Sequence, residues 1–233
     1  MIPIRDTIPC YHRPVITWSL IGVNIFFFIY SQILPEEQRQ NLFYLLGTVP
    51  ARYTHPEWAQ QAGYPVGNYL SFIASMFLHG GWLHIIMNMW LLWIFGDNIE
   101  DRMGPTRFIL FYVLCGLIAQ LIYIVTNVNS PVPIIGASGA IAGILGAYFF
   151  LYPYARIVLW IPILFLPIFV KVPAIAFLGL WLGIQFYNVT KTAIENPMFT
   201  DVAWWGHIGG FFAGVILYRF FLLPDRLAPT DTE

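Results

Sequence analysis

The chain has 233 residues, of which 58% are hydrophobic, 18% aromatic and only 10% charged, with a formal net charge of -1 and a mean hydropathy of +0.68. Soluble domains carry about 25% charged residues, so this composition, with repeated apolar runs of about 20 residues, argues against a soluble globular domain. It points to an all-α polytopic membrane protein, because backbone polar groups in lipid must be paired within each span.

The short alternating segments of a β-barrel are absent. No basic cluster points to nucleic acid. Cys10 lies in a polar N-terminal segment and Cys115 in an apolar run, so a disulfide is not expected and no metal-ligand spacing is present.

In chain order, residues 1–13 are polar and a first span covers about 14–34. It is long and lacks a clear small-residue cleavage site, so it reads as a retained span. Residues 35–68 form a long loop with an apolar patch, Leu42 to Leu46, suited to an interfacial segment. Residues 69–82 belong to the entry loop, and the next spans are about 83–99, 105–126 and a short 138–152. Residues 157–170 are apolar, but Pro162 and Pro167 make them an expected interfacial loop and not a span. The last two spans are about 173–189 and 204–223, giving six spans in one membrane domain over 1–233, with no separate soluble domain and no repeat.

Six spans put both termini on one side. That side carries Arg5, Arg13, Arg102, Arg107, Arg156, Lys171, Arg219 and Arg226, and the other only Arg39, Arg52 and Lys191. The positive-inside rule therefore makes both termini cytoplasmic.

Helix rise then places three polar residues at one depth. The fourth span covers only about 22 Å, which leaves Ser138 roughly 8 Å below the outer interface. His84 lies about 20 Å above the inner face, and His207 about 3–5 Å below an outer aromatic belt marked by Trp204 and Trp205. Their chemistry is complementary. A serine is a weak nucleophile until a base takes its proton, and a neutral imidazole can do so. His84 and Asn88 share a helix face and can both donate to an oxyanion, as can the free N–H groups opening the fourth span. Gly139 and Gly143, with Gly206, Gly210 and Gly214, form small-residue ridges that would let the fourth and sixth spans approach closely.

Each residue also has a plainer reading. A lone serine at Ser138 is more often a helix cap or packing residue, and an intramembrane histidine can simply bond across helices. His79 reads as a loop residue near the interface. Asp97, Glu100, Asp101 and Arg102 read as a solvated span end. The joint occurrence at one depth favours the catalytic reading, and with no acidic residue in the outer half of a span the reading is a Ser138–His207 dyad.

These motifs resemble those of the rhomboid intramembrane serine proteases. His79 through His84 to Asn88 is similar to the family's HxxxxHxxxN pattern, Gly136-Ala-Ser138-Gly139 to GxSG, and His207-Ile-Gly209-Gly210 through Gly214 to HxGGxxxG. Gly96, Glu100 and Gly104 fit the pattern after the second span. The resemblance implies a six-helix bundle without extra domains, Ser138 as nucleophile, His207 as general base, and His84 and Asn88 at the oxyanion. It implies no cofactor, transmembrane proteins as substrates, and a multi-pass protein whose site opens to the outer side in contact with membrane lipid. It also implies that the fifth span and residues 190–203 gate substrate entry, with Met198 and Phe199 as cap residues.

Two positions depart from the pattern. Leu70 and Ser71 stand where many relatives have Trp-Arg, and Ala142 stands where some have an aromatic that packs on the base. Two alternatives remain: a catalytically inactive rhomboid-like protein that binds membrane clients, and a transporter or metal channel using His79, His84 and His207.

Overall fold

In the computed structural model, which describes residues 2–65, 67–163, 166–195 and 203–226, each long apolar stretch free of internal proline is helical. The order is β1 (Ile2–Arg5), α1 (Val15–Ile33), α2 (Glu36–Leu46), α3 (Pro50–Thr54), α4 (Pro56–Gln61), α5 (Ser71–Ala74), α6 (Trp82–Met103), α7 (Pro105–Thr126) and α8 (Ser138–Leu151). It continues with β2 (Arg156–Ile163), β3 (Leu166–Pro173), α9 (Ala174–Glu195) and α10 (Trp204–Phe221). Proline opens α3, α4 and α7, where its missing N–H has no intrahelical partner to lose.

The short helix α8 is the axis of the bundle, and every residue from Ala140 to Tyr148 is buried. It runs parallel to α10 with the two backbones in contact. A Cβ added to Gly210 would stand 2.0 Å from the Gly139 carbonyl oxygen, and one added to Gly214 would stand 1.9 Å from that of Gly143. Helix α7 packs antiparallel on the other flank, with Ala119 against Gly139 and Cys115 against Gly143. Helix α6 meets α8 through the Phe95 and Tyr148 rings, 4.9 Å apart, and α1 meets α6 through Phe28 and Trp82, also 4.9 Å apart. Helix α9 enters the core through Ala174 and Leu178.

The outward faces stay apolar. Phe26, Ile33, Leu110, Val125, Leu180, Ile216 and Phe220 are exposed on four different helices. Such a surface suits lipid and not water. By length and hydropathy alone, and among the described residues, α1 and α7 are each long and apolar enough to cross a membrane. A third candidate is the pair Ser71–Phe77 and Trp82–Met103, bent by 93°.

Residues 157–170 correct the expectation of an irregular loop. They form most of an antiparallel hairpin, and β1 adds to it in the order β1-β2-β3, with Ile2 opposite Trp160 and Ile157 opposite Val172. The two prolines that argued against a span sit opposite each other, Pro162 to Pro167, near the hairpin end. There the missing N–H groups interrupt little of the ladder. The fold remains predominantly helical, with this small sheet at the end of the bundle where α8 finishes and α9 begins.

The charged end of α6 is a second correction, because it is buried and structural. Glu100 accepts from the Ile16 and Thr17 amides at 2.9 and 2.8 Å and from the Thr17 hydroxyl at 2.8 Å. It thereby caps α1, whose own N-cap residue, Pro14, offers no side-chain acceptor. Asp101 accepts from the Tyr11 and His12 amides at 3.1 and 2.9 Å. The loop after α1 is likewise built around a buried cation. Arg52 donates to the carbonyls of Tyr44 and Leu45 and lies 5.2 Å from the Tyr64 ring centroid. Ser71 bonds the Tyr53 hydroxyl and the Asn68 carbonyl. Arg52, Tyr53 and Asn68 thus anchor this loop without a Trp-Arg pair at Leu70 and Ser71.

Candidate active site

Ser138 is the first residue of α8, and the N-cap position belongs to Ala137. The serine therefore does not cap the helix. Its hydroxyl lies 2.8 Å from Nε2 of His207 on the first turn of α10. The glycine contacts of α8 and α10 run from Gly139, one residue beyond Ser138, and from Gly206, one residue before His207, so close backbone packing brings the two side chains together.

The imidazole is held on three sides. Its Nδ1 is 2.9 Å from Oε1 of Gln185 on α9. The Trp204 ring stands edge-on with centroids 5.9 Å apart, and the Trp181 ring lies at 6.1 Å. These groups occupy the role that Ala142 is too small to fill.

On the other side of Ser138, Gly136 has φ of 122°, a conformation that side chains rarely tolerate. The space is also closed to a larger residue. A Cβ there would stand 2.7 Å from His84 Nε2 and 3.6 Å from Asn88 Nδ2. His84 and Asn88 therefore flank the segment leading into the serine. Asn88 donates from Nδ2 to His79 Nε2 at 2.9 Å, and the His79 and His84 rings meet edge-on at 5.0 Å. His79 lies in the loop before α6, as expected, but its side chain is fully buried. It is pulled inward because it completes the hydrogen bonding of Asn88.

A small cavity of about 30 Å³, open to the surroundings, adjoins Ser138 and His207. Besides Gly136 and Gly139 it is lined by Ser75, Gln120 and Ala203. Gln120 accepts from Thr48 and from Ser75 (3.1 Å) and donates to the Phe72 carbonyl at 2.6 Å. One wall is therefore polar within an otherwise apolar bundle, which suits water. Among the described residues no three His, Cys, Asp or Glu side chains gather as a metal site.

Ser138 and His207 line this cavity and are bonded to each other, and His84 and Asn88 group at Gly136, which also lines it. Gln185, Gln120 and Ser75 were missed by the sequence reading. The usable signal for the first was that Gln185 is the first polar side chain in α9 after eleven apolar positions, and polar residues inside spans carry a functional prior. Met198 and Phe199, expected as cap residues, lie outside the described residues.

Comparison with known proteins agrees with this picture. The family model for the rhomboid domain matches residues 66–224. Similar proteins include Rhomboid protein 1, mitochondrial, of Saccharomyces cerevisiae, 28% identical over 91% of this chain and 54% of that protein. Rhomboid protease GluP of Bacillus subtilis is 30% identical over 65% of this chain and 26% of its own length. Presenilin-associated rhomboid-like protein, mitochondrial, of Mus musculus is 33% identical over 42% of this chain and 25% of its own. The chain thus spans about half, or less, of the length of these relatives. The chain belongs to the rhomboid family and is an integral membrane protein.

Proposed function

We propose that this chain is an intramembrane serine endopeptidase that cuts transmembrane segments of other membrane proteins. The observation that carries the reading is the 2.8 Å contact between Ser138 Oγ and His207 Nε2. With Nδ1 held by the Gln185 carbonyl oxygen at 2.9 Å, Nε2 is the free acceptor, as a general base requires. In this reading His207 takes the hydroxyl proton as Ser138 attacks the scissile carbonyl. The oxyanion is met by His84, Asn88 and the unpaired N–H groups at the start of α8. His207 then returns the proton to the leaving amine. Water, admitted along the polar wall of Ser75 and Gln120, hydrolyses the acyl-enzyme.

Helices α1, α6, α7, α8, α9 and α10 cross the membrane alternately, with both termini on the cytoplasmic side. Helix α8 is about 21 Å long against a hydrocarbon core of about 30 Å, so its first residue sits below the outer surface. Substrates enter laterally past α9. The bonded state of both reacting groups weighs against a client-binding member without activity.

The test is covalent. A fluorophosphonate probe applied to purified wild type is expected to attach at Ser138, located by mass spectrometry of the labelled peptide. Ser138→Ala is expected to abolish labelling, and His207→Ala to slow it by at least about 10³-fold. Equal labelling of wild type and Ser138→Ala would show the nucleophile to be elsewhere.

A further inference from the structure

Gln185 does more than fill space beside the base. Its side chain is buried, and it lies on α9, a different helix from either reacting group. A carboxamide can present either its oxygen or its NH₂ to a neighbour, and the two choices select opposite imidazole tautomers. Here the choice is made by a second bond. The Gln185 NH₂ donates to the Trp181 carbonyl oxygen, one turn back on α9, at 3.0 Å. Reversing the amide would set its oxygen against that carbonyl oxygen, two acceptors in contact. The amide oxygen is therefore committed to His207 Nδ1 at 2.9 Å and can only accept. Nδ1 must carry the proton and Nε2 must not, which leaves the Nε2 lone pair for the Ser138 hydroxyl at 2.8 Å.

We infer that Gln185 is a positioning residue that fixes the tautomer and ring orientation of His207, through a relay Trp181 carbonyl–Gln185–His207–Ser138. The inference rests on the proposed hydrolase reading and adds a neutral third member to its dyad. Trp181 has two functions in this relay. Its carbonyl aligns the amide, and its ring lies 6.1 Å from the imidazole and restricts rotation. A carboxylate in place of the amide would also accept from Nδ1 but would lose the bond to the Trp181 carbonyl, so only an amide of glutamine length serves both partners.

The experiment compares Gln185→Leu, which keeps bulk and removes the acceptor, with Gln185→Glu, which keeps the acceptor, in the full chain in liposomes. Wild-type labelling of Ser138 by a fluorophosphonate is the control. If wild type does not react, the hydrolase reading itself has failed. Given a reactive wild type, Gln185→Leu is expected to lower the labelling rate and the kcat for a transmembrane reporter by about 10². KM should be nearly unchanged, and Gln185→Glu, which keeps the acceptor for Nδ1 but loses the donor to Trp181, should recover part of the rate. A Leu variant as fast as wild type, or Leu and Glu variants that fall equally, would overturn the assignment. A second measurement needs no variant at position 185. Nitrogen-15 NMR of histidine-labelled wild type, with the His207 signal assigned by its loss in His207→Ala, is expected to show Nδ1 protonated and Nε2 bare. The reverse pattern would overturn the assignment even if the Leu variant failed to fold.

Discussion

Gly136 combines two demands that other residue types cannot meet together. Its φ of 122° is strained for any side chain, and a Cβ would collide with His84 at 2.7 Å. Gly136→Ala is therefore expected to cost about 1–3 kcal/mol from backbone strain alone. It should also push His84 away from the segment leading into Ser138. Thermal unfolding checks the first effect, and a fall of at least about tenfold in fluorophosphonate labelling of Ser138 checks the second, since small displacements near a reacting group are costly. The sequence makes Ser138, His207, His84 and Asn88 legible because each sits among glycines or at helical spacing in a polar-poor chain. Gln185 is not legible in the same way. Its meaning depends on where α9 lies, and no spacing on α9 points across to α10. His79 is legible as a loop residue from the neighbouring glycines, but the burial of its ring is not, because the bond to Asn88 that holds it inward is set by the fold.

At the scale of elements, the closest packing is between α8 and α10. Gly214→Ala would set a methyl group 1.9 Å from the Gly143 carbonyl oxygen, which the two backbones can relieve only by separating. A loss of about 1–3 kcal/mol is expected, read as a lower Tm, with activity lost at temperatures where the chain stays folded. The sheet makes a different demand. Asp6, just after β1, accepts from Asn98 at 2.8 Å and from the Tyr148 hydroxyl. Burial raises this carboxyl from 3.8 to about 6, against the opposing hydrogen bond from Tyr148, and Asp97 is a second carboxylate nearby. Between those two values the folded chain keeps a proton that the unfolded chain has lost, so stability falls as pH rises from about 4 to about 6. Tm measured across that window is expected to decline in wild type, and Asp6→Asn should remove this part of the decline. The five long helices and the short α8 are legible from apolar run length and proline position. The β2–β3 hairpin is not, because an apolar run of this length reads as buried strand, broken helix or interfacial loop until its pairing with β1 is seen. The capping of α1 by Glu100 is hidden likewise, since donor and acceptor lie 83 to 84 residues apart in sequence.

For the whole molecule, the proposed topology requires that the α7–α8 connection and the α8–β2 connection face opposite sides. Val128 and Tyr154 are exposed in these two segments. In a Cys10→Ser, Cys115→Ser background, Val128→Cys is expected to react with a membrane-impermeant maleimide from the outer side, and Tyr154→Cys only after the inner side is opened. Reaction of both from one side would remove the alternating arrangement that sets Ser138 in the outer half. The most direct test of the central claim is proteolysis in a defined bilayer. Purified chain in liposomes with a single-span reporter is expected to cut the reporter within or beside its transmembrane segment, in the presence of a chelator, while Ser138→Ala and His207→Ala of equal Tm cut nothing. Cleavage that persists in Ser138→Ala, or that chelation abolishes, would contradict a serine nucleophile activated by His207.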